Sequence, residues 1–190
     1  VKILPPSVNF SSSYYMPEDS NLRFPLLGIK NVGINAVTKL LEERENGNFK
    51  SYFDFVSRVN SFLNKRVIES LISASALDEF KLSKRTMIEK LEEVISFSEY
   101  GSFIAKEEFI LQNIEEYPFA ILEENEKKVL GFNLVINPLN SFEDYIVKHN
   151  LLKPSTIEKE HVGTQIRIVA MIANIKSIKI ANPIIVIDSK

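Results

Sequence analysis

One turn in the sequence combines the residue types that can bind an anion through the backbone. Residues 26–36 read Leu-Leu-Gly-Ile-Lys-Asn-Val-Gly-Ile-Asn-Ala, with an apolar residue between two residues that form turns. Asn31 and Gly33 adopt a positive φ at low cost, and this would hold Val32 toward the core. Successive N–H groups at the start of the next helix would then point outward, where the helix dipole helps them to bind a phosphate oxygen. The turn therefore predicts an anion site that contacts phosphate and reads no base.

Basic side chains surround this turn. Lys30 and Lys39 flank it, and no acidic residue lies between Asn21 and Leu41. A surface turn between two core helices is the competing interpretation, and the segment alone is equally compatible with it. The expected phosphate contacts of this segment are Gly28, Lys30, Asn31, Val32, Gly33, Asn35 and Lys39.

A second basic region lies further along the chain. Residues 73–78 form the turn where a second hairpin would fall, but they contain no glycine. An ordinary solvated turn is therefore the competing interpretation there. Two such hairpins packed in one core would straddle the minor groove of a duplex and contact both backbones without sequence preference. The second set of expected contacts is Asn64, Lys65, Arg66, Lys84 and Arg85.

Helices are predicted on both sides of these turns. The first has apolar residues at helical spacing from Ile34 onward and ends at the turn-forming residues 46–48. The others are predicted from the same periodicity and from N-cap residues. They are a helix over about 51–59, one that begins after Asn64, one after Ser83, one over about 121–130 and one that begins at Ser141.

Other segments lack the helical period. Residues 1–23 are proline-rich and aperiodic, which predicts an extended lead-in with a short strand near 1–4. Residues 97–118 follow no single period and are interpreted as a linker that contains a loose helix. Residues 164–174 alternate with period two, which predicts a strand, and residues 183–188 predict a further strand. These strands are too few to form an independent barrel.

Composition excludes several classes of site. The 190 residues contain no cysteine, which excludes disulfide scaffolds, thiolate zinc sites, iron–sulfur clusters and a cysteine nucleophile. Two histidines leave little for a metal site, and neither a membrane-spanning run nor a signal peptide is present. The net charge of −2 is distributed as 0 over residues 1–80, −5 over 81–150 and +3 over 151–190. Binding to nucleic acid would therefore depend on a local basic surface. Both ends of the chain look cut, so we expect a piece of a larger protein.

Several segments, taken in order, resemble the C-terminal region of the bacterial DNA polymerase III alpha subunit family. They are residues 3–9, 22–33, 49–55 and 63–72, with 126–139 similar to the family's connector motif and 164–175 to its first OB strand. The resemblance implies a mainly α fold: a tandem helix-hairpin-helix domain with a helical connector, followed by an incomplete OB-type β-domain. The implied boundaries are the end of the fingers over 1–23, the tandem domain over 24–96, the connector over 97–160 and the truncated OB-fold over 161–190.

The resemblance also implies a function. In that family the tandem domain would hold the phosphates of newly made duplex behind the active site of a replicative DNA polymerase, without sequence specificity. The implied partners are double-stranded DNA, the remainder of the alpha subunit, and the sliding clamp and clamp loader, in a cytoplasmic bacterial replisome away from membranes. DNA-directed DNA polymerisation, a nucleotidyltransferase reaction, needs palm carboxylates that hold two metal ions, and these would precede Val1. We therefore expect no catalytic residue, no cofactor and no activity in this fragment alone.

The sequence departs from the family pattern at three places. Asn31 and Ser75 stand where the two hairpins usually have glycine, and residues 136–138 read Ile-Asn-Pro where the connector usually reads Gly-His-Pro. The family's clamp-binding peptide has no clean match in the window 96–109. The candidate anchors in that window are Phe97, Tyr100 and Phe103.

Two other functions stay open at this point. The helical connector could dock on the sliding clamp or clamp loader, an interpretation favoured by the acidic charge and the aromatic residues of 81–150. The chain could instead belong to another helix-hairpin-helix enzyme, such as a ligase or nuclease, but no catalytic constellation supports this. The carboxylates are expected to be solvated on polar faces: Glu42, Glu43, Glu45, Glu115, Glu116, Glu123 and Glu124.

Overall fold

The computed structural model describes residues 1–100, 111–137, 139, 142–170, 174–177 and 185–188. Contacts divide the chain into two compact units, Val1–Ile136 and Asn137–Lys190. The division falls within residues 97–160, the segment expected to be the connector. No helix in the described part is long and apolar enough to cross a membrane.

The first unit begins with a small sheet that the aperiodic sequence of residues 1–23 did not predict. Its strands are β1 (Ile3–Leu4), β2 (Met16–Glu18) and β3 (Asn21–Arg23), in the order β1-β3-β2. β1 runs parallel to β3, and β2 runs antiparallel to it. Pro17 is tolerated because β2 lies at an edge of the sheet. Strands of two or three residues are too short to show a period, which explains why only the first was expected.

The residues between β1 and β2 pack against the helical body. Asn9 exchanges two hydrogen bonds with Phe49: its side-chain amide donates to the Phe49 carbonyl over 2.9 Å and its oxygen accepts from the Phe49 N–H over 2.8 Å. Arg44 donates to the carbonyls of Val8 and Ser11 over 3.1 and 2.8 Å. The burial that accompanies these contacts lowers the pKa of Arg44. The lead-in is therefore part of the folded unit.

Three helices follow close to the positions that the sequence predicts, and the last two have side-chain caps. They are α1 (Ile34–Glu45), α2 (Tyr52–Val59) and α3 (Lys65–Ser73). The Ser51 hydroxyl accepts from the Asp54 N–H over 3.1 Å, and Asn64 Oδ1 accepts from the Val67 N–H over 3.0 Å. Ile34 was predicted on the buried face, but it is 54% exposed because the first residue of α1 precedes the part of the helix that contacts the core.

The helix predicted after Ser83 is two helices in the structure. α4 (Lys84–Glu89) and α5 (Leu91–Tyr100) meet at Lys90, whose backbone leaves the helical region. Met87, Leu91 and Val94 are nonetheless all buried, so the apolar period continues across the break. These residues join α2 and α3 in one core around Phe55 and Tyr52, and the Tyr52 hydroxyl donates to the Met87 carbonyl over 2.6 Å.

The last helix of this unit, α6 (Phe119–Leu130), ends at Gly131, which has a φ of 84°. It packs against α3. Glu126 on this helix is fully buried. Its carboxylate accepts hydrogen bonds from the N–H groups of Leu134, Val135 and Ile136 over 3.1, 2.8 and 3.0 Å. One buried side chain therefore holds the segment after α6 against the helix.

The second unit contains α7 (Glu143–Lys148), two short 3-10 helices (Pro154–Thr156 and Lys159–His161) and the antiparallel pair β4 (Asn174–Ser177) and β5 (Ile185–Asp188). The strand predicted over 164–174 is wrong for residues 164–170, where Ile168 forms only an isolated parallel bridge to Leu152. Period-two alternation predicts a strand, but a strand also needs a partner along its length. The expected helix start at Ser141 lies outside the described residues.

Candidate nucleic-acid interface

The turn before α1 has one left-handed residue, at Asn31. Asn31 has a φ of 70°, while Gly33 has a φ of −83° and serves as the N-cap of α1. The expectation of a positive φ at Gly33 is therefore wrong, because an N-cap residue takes an extended backbone. Val32, between them, is 5% exposed, as the sequence predicts.

Most N–H groups of the turn itself are used inside the protein. The Gly28 N–H donates to the Pro25 carbonyl over 3.2 Å, and the Val32 N–H donates to the Ile29 carbonyl over 3.1 Å. The Lys30 N–H donates to the Val129 carbonyl of α6 over 2.8 Å. Gly28 and Val32 therefore do not offer the backbone donors expected of them.

The first turn of α1 is different. Gly33 has no side chain to cap the helix, and the first intrahelical bond runs from the Val37 N–H to the Gly33 carbonyl over 3.0 Å. Among the described residues, no acceptor bonds the N–H groups of Gly33, Ile34, Asn35 or Ala36. Four donors at the positive end of a twelve-residue helix thus face outward.

Gly28 is needed for packing. A Cβ at this position would come within 2.7 Å of Cε1 in the Phe24 ring. Phe24 is buried and stacks edge-on against Phe132, with ring centroids 5.9 Å apart. Gly28 therefore allows the hairpin to pack on the aromatic core. From the sequence alone, this packing role could not be told apart from a phosphate contact.

Three of the expected cations are exposed and available. Lys30, Lys39 and Arg66 form no salt bridge with any residue that the structure describes. Lys39 Nζ lies 5.9 Å from the centroid of the Phe62 ring. Lys30 and Arg66 line the same depression beside the hairpin. Lys30 and Lys39 therefore place positive charge on both sides of the turn along the chain, and Arg66 adds charge to the depression.

The other residues expected to contact phosphate already bond other groups of the protein. Lys84 is only 7% exposed and is paired with Asp78. Its charge is therefore not at the surface, which argues against a contact between Lys84 and phosphate. Lys65 Nζ lies 2.5 Å from a Glu92 carboxylate oxygen, and this hydrogen bond raises the pKa of Lys65. Arg85 is paired over 2.8 Å with Glu89 in the next turn of α4. Asn64 caps α3 with its side chain.

The second turn is buried. Ser75 has a φ of 67° but is only 3% exposed. The Val8 N–H of the lead-in donates to the Ala76 carbonyl over 3.0 Å, and Glu79, just after the turn, accepts from the side chains of Ser7 and Asn9. The lead-in therefore covers the turn where a second phosphate contact was considered. The competing interpretation of a solvated turn is wrong as well, because residues 74–77 are buried.

A carboxylate occupies the start of α4. Glu116 accepts from the N–H groups of Lys84 and Arg85 over 2.7 and 3.0 Å. Asn113 Oδ1 accepts from the Ser83 N–H over 2.9 Å. Glu116 was expected to be solvated on a polar face, and this is wrong: it caps a helix whose N–H groups would otherwise lack acceptors.

Sequence reasoning missed the basic end of α6. The bond from Lys30 to Val129 holds the last turn of α6, which carries Lys127 and Lys128, beside the hairpin. The sequence does show two adjacent lysines at this position, which is a signal of a basic surface. Periodicity does not reveal which neighbour a helix end contacts, so their nearness to Lys30 could not be inferred.

The part of the chain that the structure describes contains no metal cluster, and residues 101–109 of the window for a clamp-binding peptide lie outside it. No group of three or more potential ligand side chains comes together there. Phe97, an expected clamp anchor, packs edge-on against Phe53 with ring centroids 5.8 Å apart. Phe103 and the side chain of Tyr100 lie outside the described residues.

Comparison with known proteins gives a family match and several related sequences. A family model for the helix-hairpin-helix motif matches residues 1–87. The chain is 28% identical to DNA polymerase III subunit alpha of Bacillus subtilis, over 94% of this chain and 17% of that protein. It is 31% identical to the subunit of Staphylococcus aureus strain MRSA252, over 74% of this chain and 14% of that protein. For Halalkalibacterium halodurans the identity is 32%, over 80% of this chain and 14% of that protein.

The match therefore covers most of this chain and a small part of each relative, since the chain spans 14 to 17% of their length. The alignment includes the hairpin, the open end of α1 and the helices that support them. The chain is thus homologous over most of its length to the bacterial DNA polymerase III alpha subunits and carries a helix-hairpin-helix motif in residues 1–87.

Proposed function

We propose that the first unit binds duplex DNA through its phosphate backbone, as a non-sequence-specific module of a replicative DNA polymerase alpha subunit in the bacterial replisome. The observation that carries the proposal is the open first turn of α1, where Gly33, Ile34, Asn35 and Ala36 present N–H groups with no acceptor among the described residues. Such a turn binds a phosphate oxygen by hydrogen bonds and by the helix dipole.

Side-chain charge supports the same surface. Lys30 and Lys39 lie on either side of the open turn and are exposed. No acidic residue lies between Asn21 and Leu41, so this segment is basic although the chain carries a net charge of −2. Contacts of this kind gain affinity because they release counterions from the duplex. They hold the duplex in position without dependence on the base sequence, and in this way they contribute to processivity.

The assignment of the other segments is part of this proposal. Residues 24–96 would form the tandem helix-hairpin-helix domain, with one open and one covered hairpin, and residues 161–190 the start of an OB-type domain. The antiparallel pair of β4 and β5 is compatible with such a domain. Docking of residues 97–160 on a clamp or clamp loader stays a prediction without a contact in its favour.

Fluorescence anisotropy on a labelled duplex of about two helical turns, across a salt series, tests the proposal. Wild-type binding should weaken log-linearly with salt, and Lys30→Gln/Lys39→Gln should lower the slope of that plot by about two. Lys2→Gln/Lys50→Gln, at two exposed lysines of the same unit outside the hairpin, is the charge-matched control and should bind as wild type. Absence of wild-type binding at low salt, or an equal loss in the control, would overturn the proposal.

A further inference from the structure

A depression lies beside the hairpin, and Lys30 and Asn31 are among its lining residues. It has a volume of about 310 Å³ and is lined by residues of the hairpin, α3 and α6, among them Lys30, Arg66 and Lys128. Three cations from three separate elements thus converge on one concave surface. Two of them, Arg66 and Lys128, belong to helices that follow the hairpin by more than thirty and ninety residues in the sequence.

The charges in this depression are available for a ligand. Arg66 has no ion pair with a described residue, and Lys128 has only an exposed pair with Glu124 over 2.8 Å. An exposed pair of this kind contributes little and exchanges readily for another anion. Glu69 is the one carboxylate among the described residues that line the depression, beside three cations, one of which is paired with Glu124.

Neutral polar groups complete the lining. Ser73 and Asn125 line the depression, and their side chains form no hydrogen bond with the residues that the structure describes. Asn31 also lines it, and its amide donates to Ser70 Oγ over 3.0 Å, which holds the hairpin to α3. The Lys30 N–H fixes α6 through the Val129 carbonyl over 2.8 Å. The three elements are therefore connected by hydrogen bonds before any ligand arrives, which reduces the cost of ordering the site.

We propose that this depression binds a second phosphodiester of the DNA backbone, so that the connector helix α6 is itself part of the DNA-binding surface. The inference rests on the proposed function and extends it: the open turn of α1 holds one phosphate, and Arg66 and Lys128 hold another next to Lys30. An arginine and a lysine that approach a phosphate from two helices supply charge without base recognition. Contact by α6 makes duplex binding depend on the folded connector as well as on the hairpin.

The test measures duplex affinity of the complete chain against salt for Arg66→Gln/Lys128→Gln, with Lys2→Gln/Lys50→Gln as the control. The log–log slope should fall by about two in the first variant and stay at the wild-type value in the second. Thermal unfolding is followed in parallel, so that a loss of fold is not read as a loss of contact.

The possible failures are distinguishable. If the wild-type chain does not bind duplex, the proposed function itself fails. If Lys30→Gln/Lys39→Gln weakens binding while Arg66→Gln/Lys128→Gln keeps the wild-type slope, only the second phosphate site is overturned. Titration with pyrophosphate at constant ionic strength separates a free anion from DNA: pyrophosphate binding that Arg66→Gln/Lys128→Gln abolishes, with unchanged duplex binding, would also overturn the inference.

Discussion

Asn31 and Ser75 have the same left-handed backbone, with φ angles of 70° and 67°, at corresponding positions in two turns of one unit. Neither is glycine, and their surroundings differ. Asn31 is exposed and its amide donates to Ser70 Oγ over 3.0 Å, while Ser75 is 3% exposed and its hydroxyl has no partner among the described residues. Of these two turns with the same conformation, the first is exposed and the second is buried among the described residues.

Ser75→Gly should stabilise the protein. Glycine removes the strain of a left-handed residue and the buried hydroxyl without a partner, while it increases the entropy of the unfolded chain. We expect a net gain of about 1 kcal/mol in the free energy of unfolding, measured by urea denaturation. Ser75→Ala, which removes the hydroxyl but keeps the strained Cβ, should gain less than glycine, and the reverse order would contradict the role of backbone strain. Asn31→Gly should not stabilise the protein, because asparagine tolerates this conformation and the substitution removes the hydrogen bond from the Asn31 amide to Ser70 Oγ.

Gly33→Ser should lower the affinity for duplex DNA and slightly raise the stability of the protein. The serine has open space, since no atom lies within 4 Å of a Cβ built at Gly33, and it would cap the N–H groups of α1. A cap of this kind gains a few tenths of a kcal/mol, about 0.3, over glycine. The same hydroxyl would compete with a phosphate for the donors, so duplex affinity should fall while the melting temperature does not. Unchanged or tighter binding by a correctly folded variant would argue against phosphate at this turn.

Ile34→Pro should remove one donor and keep the helix. Ile34 is the first residue of α1, where proline is tolerated, and Gly33 before it already has the extended backbone that proline requires. Affinity for duplex should fall several-fold with little change in the salt slope, because an N–H group carries no net charge. Ile34→Ala, which retains the N–H group, is the matched control and should bind as wild type in the anisotropy assay.

Gly28→Ala should destabilise the first unit. The added Cβ would meet the Phe24 ring at 2.7 and 2.8 Å, and overpacking of this kind costs about 1–3 kcal/mol. Calorimetry measures the change. Phe24→Leu in the same chain should recover part of the loss, since the smaller side chain withdraws the atoms that clash. Equal costs of Gly28→Ala with and without Phe24→Leu would show that the contact is not the cause.

Glu126→Gln should loosen the connector helix from the segment that follows it. Glutamine keeps one acceptor oxygen but places an amide group against N–H donors that now bond the Glu126 carboxylate. Loss of hydrogen bonds to a buried charged group predicts a cost of about 3 kcal/mol in the free energy of unfolding. Glu124→Gln, three-fifths exposed and two residues away, is the control and should cost far less. Amide hydrogen exchange at Leu134, Val135 and Ile136 should accelerate only in the first variant.

Local patterns in the sequence were sufficient for much of the helical body. Asn64 caps α3 as predicted, because a cap is a contact between residues three apart. Ser51, predicted as the first residue of the second helix, caps α2 in the same way. The open turn before α1 was also predictable, since it follows from the small residues and the helix period of one segment. The sheet of the lead-in was not predicted. Its strands have only two or three residues, and β1 pairs with residues about twenty positions further along the chain.

Tertiary structure decided which of the two turns is exposed and which basic side chains lie at the surface. Both turns have a left-handed residue, but Val8 and Glu79 bring the lead-in over the second. The accessibility of a turn depends on what packs against it, and that partner is sixty-eight residues away in the sequence. The same reason applies to Lys84 and Lys128: each was one more basic residue in the sequence, and only long-range packing buried the first and brought the second to the hairpin.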